Sequence, residues 1–183
     1  QDLVLQPAAF LNAMETDKPT VLEVVPSYLT LLLELVAEMP DIKLSSIRFL
    51  MVTGEEVRPG LLSRWFAHFS GKTVVNAYGP TEASDDIAHF VCDNPVNTYR
   101  VPVGKTVQNF RIYIVDELMR QNPIGVIGEI CVAGIGVGRG YLNDPAKTLA
   151  SFAKDPFSEE KTVRLYRTGD LGRWRPDGNL EFI

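Results

Sequence analysis

The sequence contains few residues that support disulfide, zinc or histidine chemistry, with only two cysteines and two histidines in 183 residues. Cys92 and Cys131 are far apart, so they predict neither a disulfide framework nor a zinc site and favour a reducing, cytoplasmic location. His68 and His89 have no serine or cysteine beside them in a recognisable nucleophile setting. Ser-His-Asp chemistry is therefore not indicated.

Basic charge and long apolar runs are also scarce. The formal net charge is -5 and the sequence pI is about 5.1, which argues against nucleic acid as the main partner. The best apolar run, around Leu31–Leu33, is interrupted by Glu34, and the N-terminus lacks the pattern of a secretory signal. With 45% hydrophobic residues, the chain is expected to be globular, with small molecules or proteins rather than a membrane as partners.

Residues 21–82 alternate between strand patterns and helix patterns. Strands are predicted at Val21–Val25, at Ile47–Thr53 and from Val74 onward. Ser27 is predicted to cap the first intervening helix, and Pro59 lies in the first turn of the second. This alternation is typical of α/β proteins with a parallel, wound sheet of the flavodoxin type and flanking helices.

From Ala83 onward, short strand patterns between turn residues predict an antiparallel sheet or a partial β-barrel. One helix interrupts them, with Asp144 as cap and with Leu149 and Phe152 on its inner face. Residues 176–179 read Pro-Asp-Gly-Asn and predict a hairpin turn. We therefore expect a wound α/β subdomain over residues 1–95 and a β-rich, barrel-like subdomain over residues 96–183.

A hydroxyl and a carboxylate are presented directly after the third predicted strand, in Asn76–Glu82. Gly79 and Pro80 end that strand, so Thr81 and Glu82 lie beyond its carboxyl end, where open α/β sheets bind ligands. A hydroxyl donor and an anionic oxygen ligand suit a phosphate with a Mg²⁺ ion. The alternative is an ordinary polar loop that closes a strand.

Further carboxylates follow the predicted strand ends. Asp170 comes after a strand and Gly169, where its carboxylate could accept hydrogen bonds from the two hydroxyls of a ribose; the alternative is an Asp that caps its own turn. Five carboxylates around one crevice repel each other unless a cation is present, although solvation at the surface explains some of them. These five are Glu55, Glu56, Glu82, Asp85 and Asp86.

Three long motifs occur in one order along the chain. They are N-A-Y-G-P-T-E at residues 76–82, G-E-I-C-V-A-G at 128–134 leading to G-Y-L-N-D-P at 140–145, and Y-R-T-G-D at 166–170. Their order and spacing closely resemble adenylate-forming enzymes. Their wording is similar to that of the amino-acid adenylation domains of nonribosomal peptide synthetases.

The resemblance implies that ATP and an amino acid form an aminoacyl-adenylate and pyrophosphate, after which a carrier-protein thiol is loaded. It assigns Thr81 and Glu82 to catalysis, with Thr81 at the phosphates and Glu82 holding Mg²⁺. It also places Tyr78 on the adenine and Asp170 on the ribose. The remaining nucleotide-binding positions that it implies are Gly54, Glu55, Glu56, Asn76, Ala77 and Gly79.

The resemblance further implies a pocket for the amino-acid side chain at the same strand ends. Its positions here are Glu23, Met51, Thr53, Ala77, Asp85 and Asp86. Three acids in one pocket favour a cationic amino acid, because a buried carboxylate is costly unless it is paired. A large polar substrate at Glu23 is the alternative. The implied partners are the rest of the adenylation domain, a carrier protein with phosphopantetheine, and a condensation domain.

Parts of the family pattern are absent from the sequence. These are the glycine- and serine-rich phosphate loop with its lysine, the aspartate that grips the amino group, the hinge and the C-terminal lid. Because the chain also ends within a strand pattern at Leu180–Ile183, we expect an excised internal piece that does not catalyse adenylation alone. Two alternatives remain, an exchangeable specificity or binding subdomain without catalysis and a fragment of an acyl- or aryl-CoA ligase.

Overall fold

The computed structural model describes residues 3–183, so Gln1 and Asp2, at the start of the sequence, lie outside the described part. The chain divides into two compact units, each of which consists of two separate stretches of sequence. The first unit contains the described residues up to Asn76 together with Val91–Val101, and the second contains Ala77–Phe90 and Pro102–Ile183. The functional assignment of residues 1–95 and 96–183 to separate subdomains stays a prediction.

The first unit alternates helix and strand. Its elements are α1 (Pro7–Asp17), β1 (Val21–Val24), α2 (Pro26–Val36), β2 (Phe49–Val52), α3 (Pro59–His68) and the first part of β3 (Thr73–Tyr78). β1 pairs with β2 and β2 with β3, both in parallel, so their carboxyl ends lie at one edge. The predicted parallel, wound arrangement is confirmed, and α1 is an additional helix that the sequence patterns did not predict.

The start of α2 differs from the prediction that Ser27 caps the helix. The N-cap is Val25 and Pro26 is the first helical residue, with no cap from a local side chain. Instead, the Ser27 amide and hydroxyl donate to the two carboxylate oxygens of Glu55, at 3.0 and 2.8 Å. A carboxylate from a distant loop therefore satisfies a donor at the positive end of the helix dipole.

The second unit is built mainly from antiparallel strands. These are β4 (Ala88–Cys92, up to Phe90 in this unit), β5 (Lys105–Thr106), β6 (Phe110–Val115), β7 (Gly128–Gly134), β8 (Phe152–Lys154), β9 (Arg164–Trp174) and β10 (Leu180–Phe182). β4 pairs with β5, and a second sheet has the order β10-β9-β7-β6, with β8 also on β9. This sheet is open within the described residues, which fits an incomplete barrel.

Two local predictions in this unit have different outcomes. Asp144 caps the short helix α4 (Pro145–Ser151) by accepting a hydrogen bond from the Lys147 amide, as expected. Leu149, however, is 81% exposed, so its predicted inward position is wrong. Phe152 is buried but starts β8 rather than belonging to the helix, because the chain leaves the helix before that position.

The main core of the second unit forms between the sheet and the residues that follow Tyr78. Ala83, Ile87 and Ala88 are fully buried and belong to one cluster with Ile130 and Leu180. The segment that carries Thr81 and Glu82 is therefore anchored in this core, because buried residues follow it and Tyr78, which precedes it, packs against the same cluster. None of the helices within residues 3–183 is long and apolar enough to cross a membrane.

Candidate nucleotide site

The segment after β3 makes a tight turn that only glycine can enter. A Cβ on Gly79 would lie 1.7 Å from the carbonyl oxygen of Asp85. Past Pro80, Thr81–Ala83 form one turn of 3₁₀ helix, and the Ile87 amide donates back to the Tyr78 carbonyl at 2.8 Å. Thr81 is exposed and Glu82 is half-buried just after the strand, as the sequence predicted.

Tyr78 contacts a carboxylate from a motif 92 residues later in the chain. Its hydroxyl donates a hydrogen bond to Oδ2 of Asp170 at 2.7 Å, and its ring lies 5.6 Å from that of Phe182. Burial, together with the Asp170 carboxylate, raises the pKa of Tyr78 far above its usual value. Because the phenol stays protonated, it remains a donor that orients the carboxylate.

Asp170 lies inside β9, so the prediction of a loop after a strand is wrong in its geometry. The pairing of β7 with β9 slips between Glu129 and Cys131, and Gly169 takes a φ of +78° there. The strand therefore bulges at Thr168–Asp170, which re-aims the Asp170 side chain. The Thr168 hydroxyl fixes this bulge, since it accepts from the Asp170 amide at 3.0 Å and donates to the Ile130 carbonyl at 2.8 Å.

A glutamate on β7 holds the other side of the bulge. The Glu129 carboxylate accepts two bonds from the Arg167 guanidinium, through Nε at 3.0 Å and through the second nitrogen at 2.5 Å. It also accepts from the Gly169 amide at 3.3 Å. Arg167 and Glu129 thus form a bidentate ion pair beside Gly169, the residue that directly precedes Asp170.

Glu82 is held by a tyrosine from the G-Y-L-N-D-P motif. The Tyr141 hydroxyl donates to Oε1 of Glu82 at 2.6 Å, and the Tyr166 hydroxyl lies 3.3 Å from that of Tyr141. The bond from Tyr141 holds the pKa of Glu82 below its usual value despite partial burial. Glu82 is therefore ionised at neutral pH and has one oxygen fixed in place.

The six residues predicted to form the amino-acid pocket are divided between the two units. In the first, Glu23 and Met51 occupy matching positions on β1 and β2, with Glu23 exposed and Met51 and Thr53 half-buried. In the second, Ala77 is buried and Asp85 is exposed in the left-handed region, at φ 76°. Asp86 lies 3.1 Å from the ring of His89. Each carboxylate therefore has a different local environment.

The predicted adenine-slot residues of the first unit lie in the loop after β2 and at the end of the unit's third strand. Gly54 has a φ of +82°, and the Glu55 carboxylate binds α2 as described above. Glu56 forms an ion pair with Arg100 at 2.7 Å. Asn76 is buried in β3. Glu55 is thus held by two neutral donors at the start of α2 and Glu56 by the Arg100 guanidinium, all within the first unit.

Sequence reasoning missed the residues that support the predicted ones. These are Tyr141, Tyr166, Thr168, Glu129 and Arg167, all inside the quoted motifs. The motifs were the available signal, but spacing along the chain does not show which side chain reaches which. Within residues 3–183, no group of three or more His, Cys, Asp or Glu side chains could hold a metal ion by itself.

Comparisons with known proteins agree with this arrangement. Residues 1–142 match the family described as AMP-binding enzyme. The chain is 39% identical over 179 residues to a plipastatin synthase protein of Bacillus subtilis (strain 168), covering 97% of this chain and 5% of that protein. It is also 39% identical to a mycosubtilin synthase protein of Bacillus subtilis, covering 97% and 7%. The chain therefore spans a small part of the length of these relatives.

Solved structures show the same fold. A crystal structure of the nonribosomal peptide synthetase FmoA3 in its alpha-methyl-L-serine-AMP bound form has a TM-score of 0.89 and 33% identity, covering 97% of this chain and 20% of that one. PA1221, a protein with adenylation and PCP domains, has a TM-score of 0.86 and 28% identity, covering 97% and 35%. The chain belongs to the family of AMP-binding enzymes and is part of an adenylation domain of the nonribosomal peptide synthetase type.

Proposed function

We propose that this chain supplies part of the ATP site and the amino-acid pocket of an enzyme that activates an amino acid as its adenylate. The observation that carries the proposal is the hydrogen bond from Tyr78 to Asp170, two residues of different motifs that both belong to the second unit. An aromatic ring beside an oriented carboxylate suits a nucleoside. The ring can lie on a base while the carboxylate accepts from two sugar hydroxyls.

The proposed reaction has two steps. A carboxylate oxygen of the amino acid attacks the α-phosphorus of ATP, forming a P–O bond as the bond to the bridging oxygen breaks and pyrophosphate leaves. The carrier thiol then loses its proton and attacks the carbonyl carbon, forming a C–S bond as AMP leaves. In this scheme Asp170 and Tyr78 hold the nucleoside, and the Thr81 hydroxyl, which is exposed, donates to a phosphate oxygen.

The residues present fit a Mg²⁺ ion that arrives with ATP. Mg²⁺ is usually bound by one or two carboxylates plus substrate phosphates rather than by a cage of protein ligands, and bound Mg²⁺ neutralises phosphate charge. Glu82 is such a single carboxylate. It is ionised, and a carboxylate that accepts hydrogen bonds from phenol hydroxyls still keeps lone pairs for a metal.

For the amino-acid pocket we propose Glu23, Met51, Thr53, Ala77, Asp85 and Asp86. The two exposed carboxylates, Glu23 and Asp85, support a substrate with a cationic side chain, while Asp86 already has His89 as a neighbour. Gly54, Glu55, Glu56, Asn76 and Ala77 are proposed to line the adenine slot, and Gly79 is proposed as a further nucleotide-binding position. The substrate class is tested by pyrophosphate exchange in the complete polypeptide that carries this sequence, with cationic, neutral and fatty or aryl acids compared.

Cationic amino acids should support the fastest exchange. Faster exchange with a neutral amino acid would contradict the pocket chemistry but leave amino-acid activation intact. Exchange with fatty or aryl acids alone would favour a CoA ligase and refute the proposed function. We further propose a phosphopantetheine-bearing carrier protein and a condensation domain as partners in the cytoplasm, and no adenylation by these 183 residues alone.

Nucleotide binding is tested by calorimetric titration of the 183-residue chain with magnesium ATP. We expect weak binding that decreases about 10- to 100-fold in Asp170→Asn and in Glu82→Gln, since a hydrogen bond to a charged group contributes about 1.5–3 kcal/mol. Glu117→Gln is the matched control because Glu117 is an exposed carboxylate elsewhere in the same unit. Equal binding by Asp170→Asn and the folded wild type would refute the proposed role of Asp170.

A further inference from the structure

One continuous segment contacts both the backbone and the side chain of Glu82. We name Gly138–Thr148 the bracing segment. Its first residue donates its amide to the Glu82 carbonyl at 2.7 Å, and a Cβ on Gly138 would lie 3.0 Å from that oxygen. Its tyrosine, Tyr141, reaches Oε1 of the same glutamate at 2.6 Å. Backbone and carboxylate of Glu82 are thus fixed by the same stretch of chain.

Tyr141 is itself held from several directions. Its amide donates to the Thr148 hydroxyl at 2.9 Å, and that hydroxyl lies 2.8 Å from the Asp144 carbonyl oxygen. The Lys147 ammonium lies 4.0 Å from the centre of the Tyr141 ring, and Phe152 meets the ring edge-on at 5.5 Å. These contacts remove the rotational freedom that a tyrosine would otherwise have, so its hydroxyl has a defined position.

The chemical type of this partner matters for a metal ligand. A lysine or arginine paired with Glu82 would orient the carboxylate but would also offset the negative charge that attracts a cation. A phenol hydroxyl orients the carboxylate and leaves its charge in place. The Lys147 ammonium lies on the Tyr141 ring, and its charge also helps to lower the pKa of Glu82, whereas the direct hydrogen bond to the carboxylate comes from the phenol.

We propose that Tyr141 is a positioning residue that presents the Glu82 carboxylate to the metal ion of metal-bound ATP, with the bracing segment holding both residues in place. This inference rests on the proposed function. Partners that hydrogen-bond to a metal ligand typically change metal affinity 10- to 100-fold when removed. Tyr141→Phe, which deletes only the hydroxyl, should therefore weaken metal binding about tenfold.

The test uses Mn²⁺ in place of Mg²⁺, in the complete polypeptide, with an ATP analogue whose α,β-bridge is methylene. Free Mn²⁺ is measured by electron paramagnetic resonance for wild type, Tyr141→Phe, Glu82→Gln and the double variant. If Tyr141 acts through Glu82, the double variant should bind Mn²⁺ no more weakly than Glu82→Gln alone. Binding of the analogue without metal, measured by calorimetry in a chelator, should be unchanged in Tyr141→Phe.

Tyr113→Phe is the matched control, because Tyr113 donates from its hydroxyl to a different carboxylate, that of Asp155, at 3.1 Å in the same unit. It should leave Mn²⁺ affinity unchanged. Glu82→Asp provides a second variant: the shorter side chain keeps the charge but withdraws it from Tyr141. It should weaken Mn²⁺ binding as much as Tyr141→Phe does.

Three results would overturn the inference. The first is that Tyr141→Phe lowers Mn²⁺ affinity equally in the wild-type and Glu82→Gln backgrounds. The second is that Tyr141→Phe lowers the affinity for the metal-free analogue as much as it lowers Mn²⁺ affinity. The third is that Tyr141→Phe leaves Mn²⁺ affinity unchanged although Glu82→Gln lowers it. The last result leaves the metal role of Glu82 standing. Unchanged Mn²⁺ affinity in Glu82→Gln would remove that role as well, whereas amino-acid activation itself is decided separately by pyrophosphate exchange.

Discussion

Gly79→Ala should destabilise the second unit because there is no room for a side chain at this position. The new Cβ would lie 1.7 Å from the Asp85 carbonyl oxygen and 2.7 Å from the Ile87 amide nitrogen. A carbon and a carbonyl oxygen normally stay about 3.3 Å apart, so the backbone must move by about 1.6 Å. That movement stretches the 2.8 Å hydrogen bond from Ile87 to Tyr78.

Overpacking of this kind costs about 1–3 kcal/mol, and the weakened backbone bond adds about 1 kcal/mol. The expected loss of about 2–4 kcal/mol corresponds to a fall of roughly 4–16 °C in the melting temperature of a chain this size. Urea unfolding followed by circular dichroism measures the free energy. Hydrogen exchange at the Ile87 amide reports the local loosening, and it should accelerate in the variant.

Gly60→Ala is the matched control, since a Cβ at Gly60 meets nothing within 4 Å and the residue lies in α3. Alanine favours a helix by about 0.8–1.0 kcal/mol over glycine, so this variant should be neutral or more stable. If Gly79→Ala unfolds at the same urea concentration as wild type, with unchanged exchange at Ile87, the steric argument fails.

Three further changes test other parts of the structure. Burial raises the pKa of Cys131 to about 12 and that of Cys92 to about 11, so iodoacetamide at about pH 8 should label neither until urea is added. Because only unfolded chains lose these protons, the free energy of unfolding should decrease as pH rises above about 8.5, which a urea series across pH measures. Glu129→Gln should weaken magnesium ATP binding several-fold, because Glu129 holds the bulge that carries Asp170. The free energy of unfolding should change by less than about 1 kcal/mol, since the ion pair with Arg167 is partly exposed. An undiminished affinity in calorimetry would contradict this prediction. Asp144→Ala should cost about 1 kcal/mol and speed hydrogen exchange in α4, which has no buried residue to hold it; unchanged exchange would show the cap to be dispensable.

Patterns between neighbouring residues were enough to predict much of the fold. Hydrophobic periodicity and the positions of Gly, Pro and Asp predicted the parallel strands, the helix with Pro59 in its first turn, the cap at Asp144 and the hairpin turn at Pro176–Asn179. The structure contains all of these. The same local chemistry placed Thr81 and Glu82 beyond the end of β3. These features depend on a few consecutive side chains and on backbone geometry, which are written in the sequence.

Positions set by distant parts of the chain could not be predicted in this way. At the start of α2 the Ser27 amide is bound by Glu55, 28 residues away, and Ser27 itself does not cap the helix. Asp170 lies in a bulge of β9 that arises from the pairing of β9 with β7. The spacing of Leu149 predicted an inward side chain, but Leu149 is exposed and no residue of α4 is buried.

The sequence alone determined the family of this protein and the residue types of its proposed site. The residue types in the motifs determine which hydrogen-bond donors and carboxylates are available, because residue type is a property of the covalent chain. Only the tertiary structure decided that Tyr78 holds Asp170 and that Tyr141 holds Glu82. Those pairs join residues 92 and 59 positions apart, and such contacts exist only after the strands have paired and the core has closed around them.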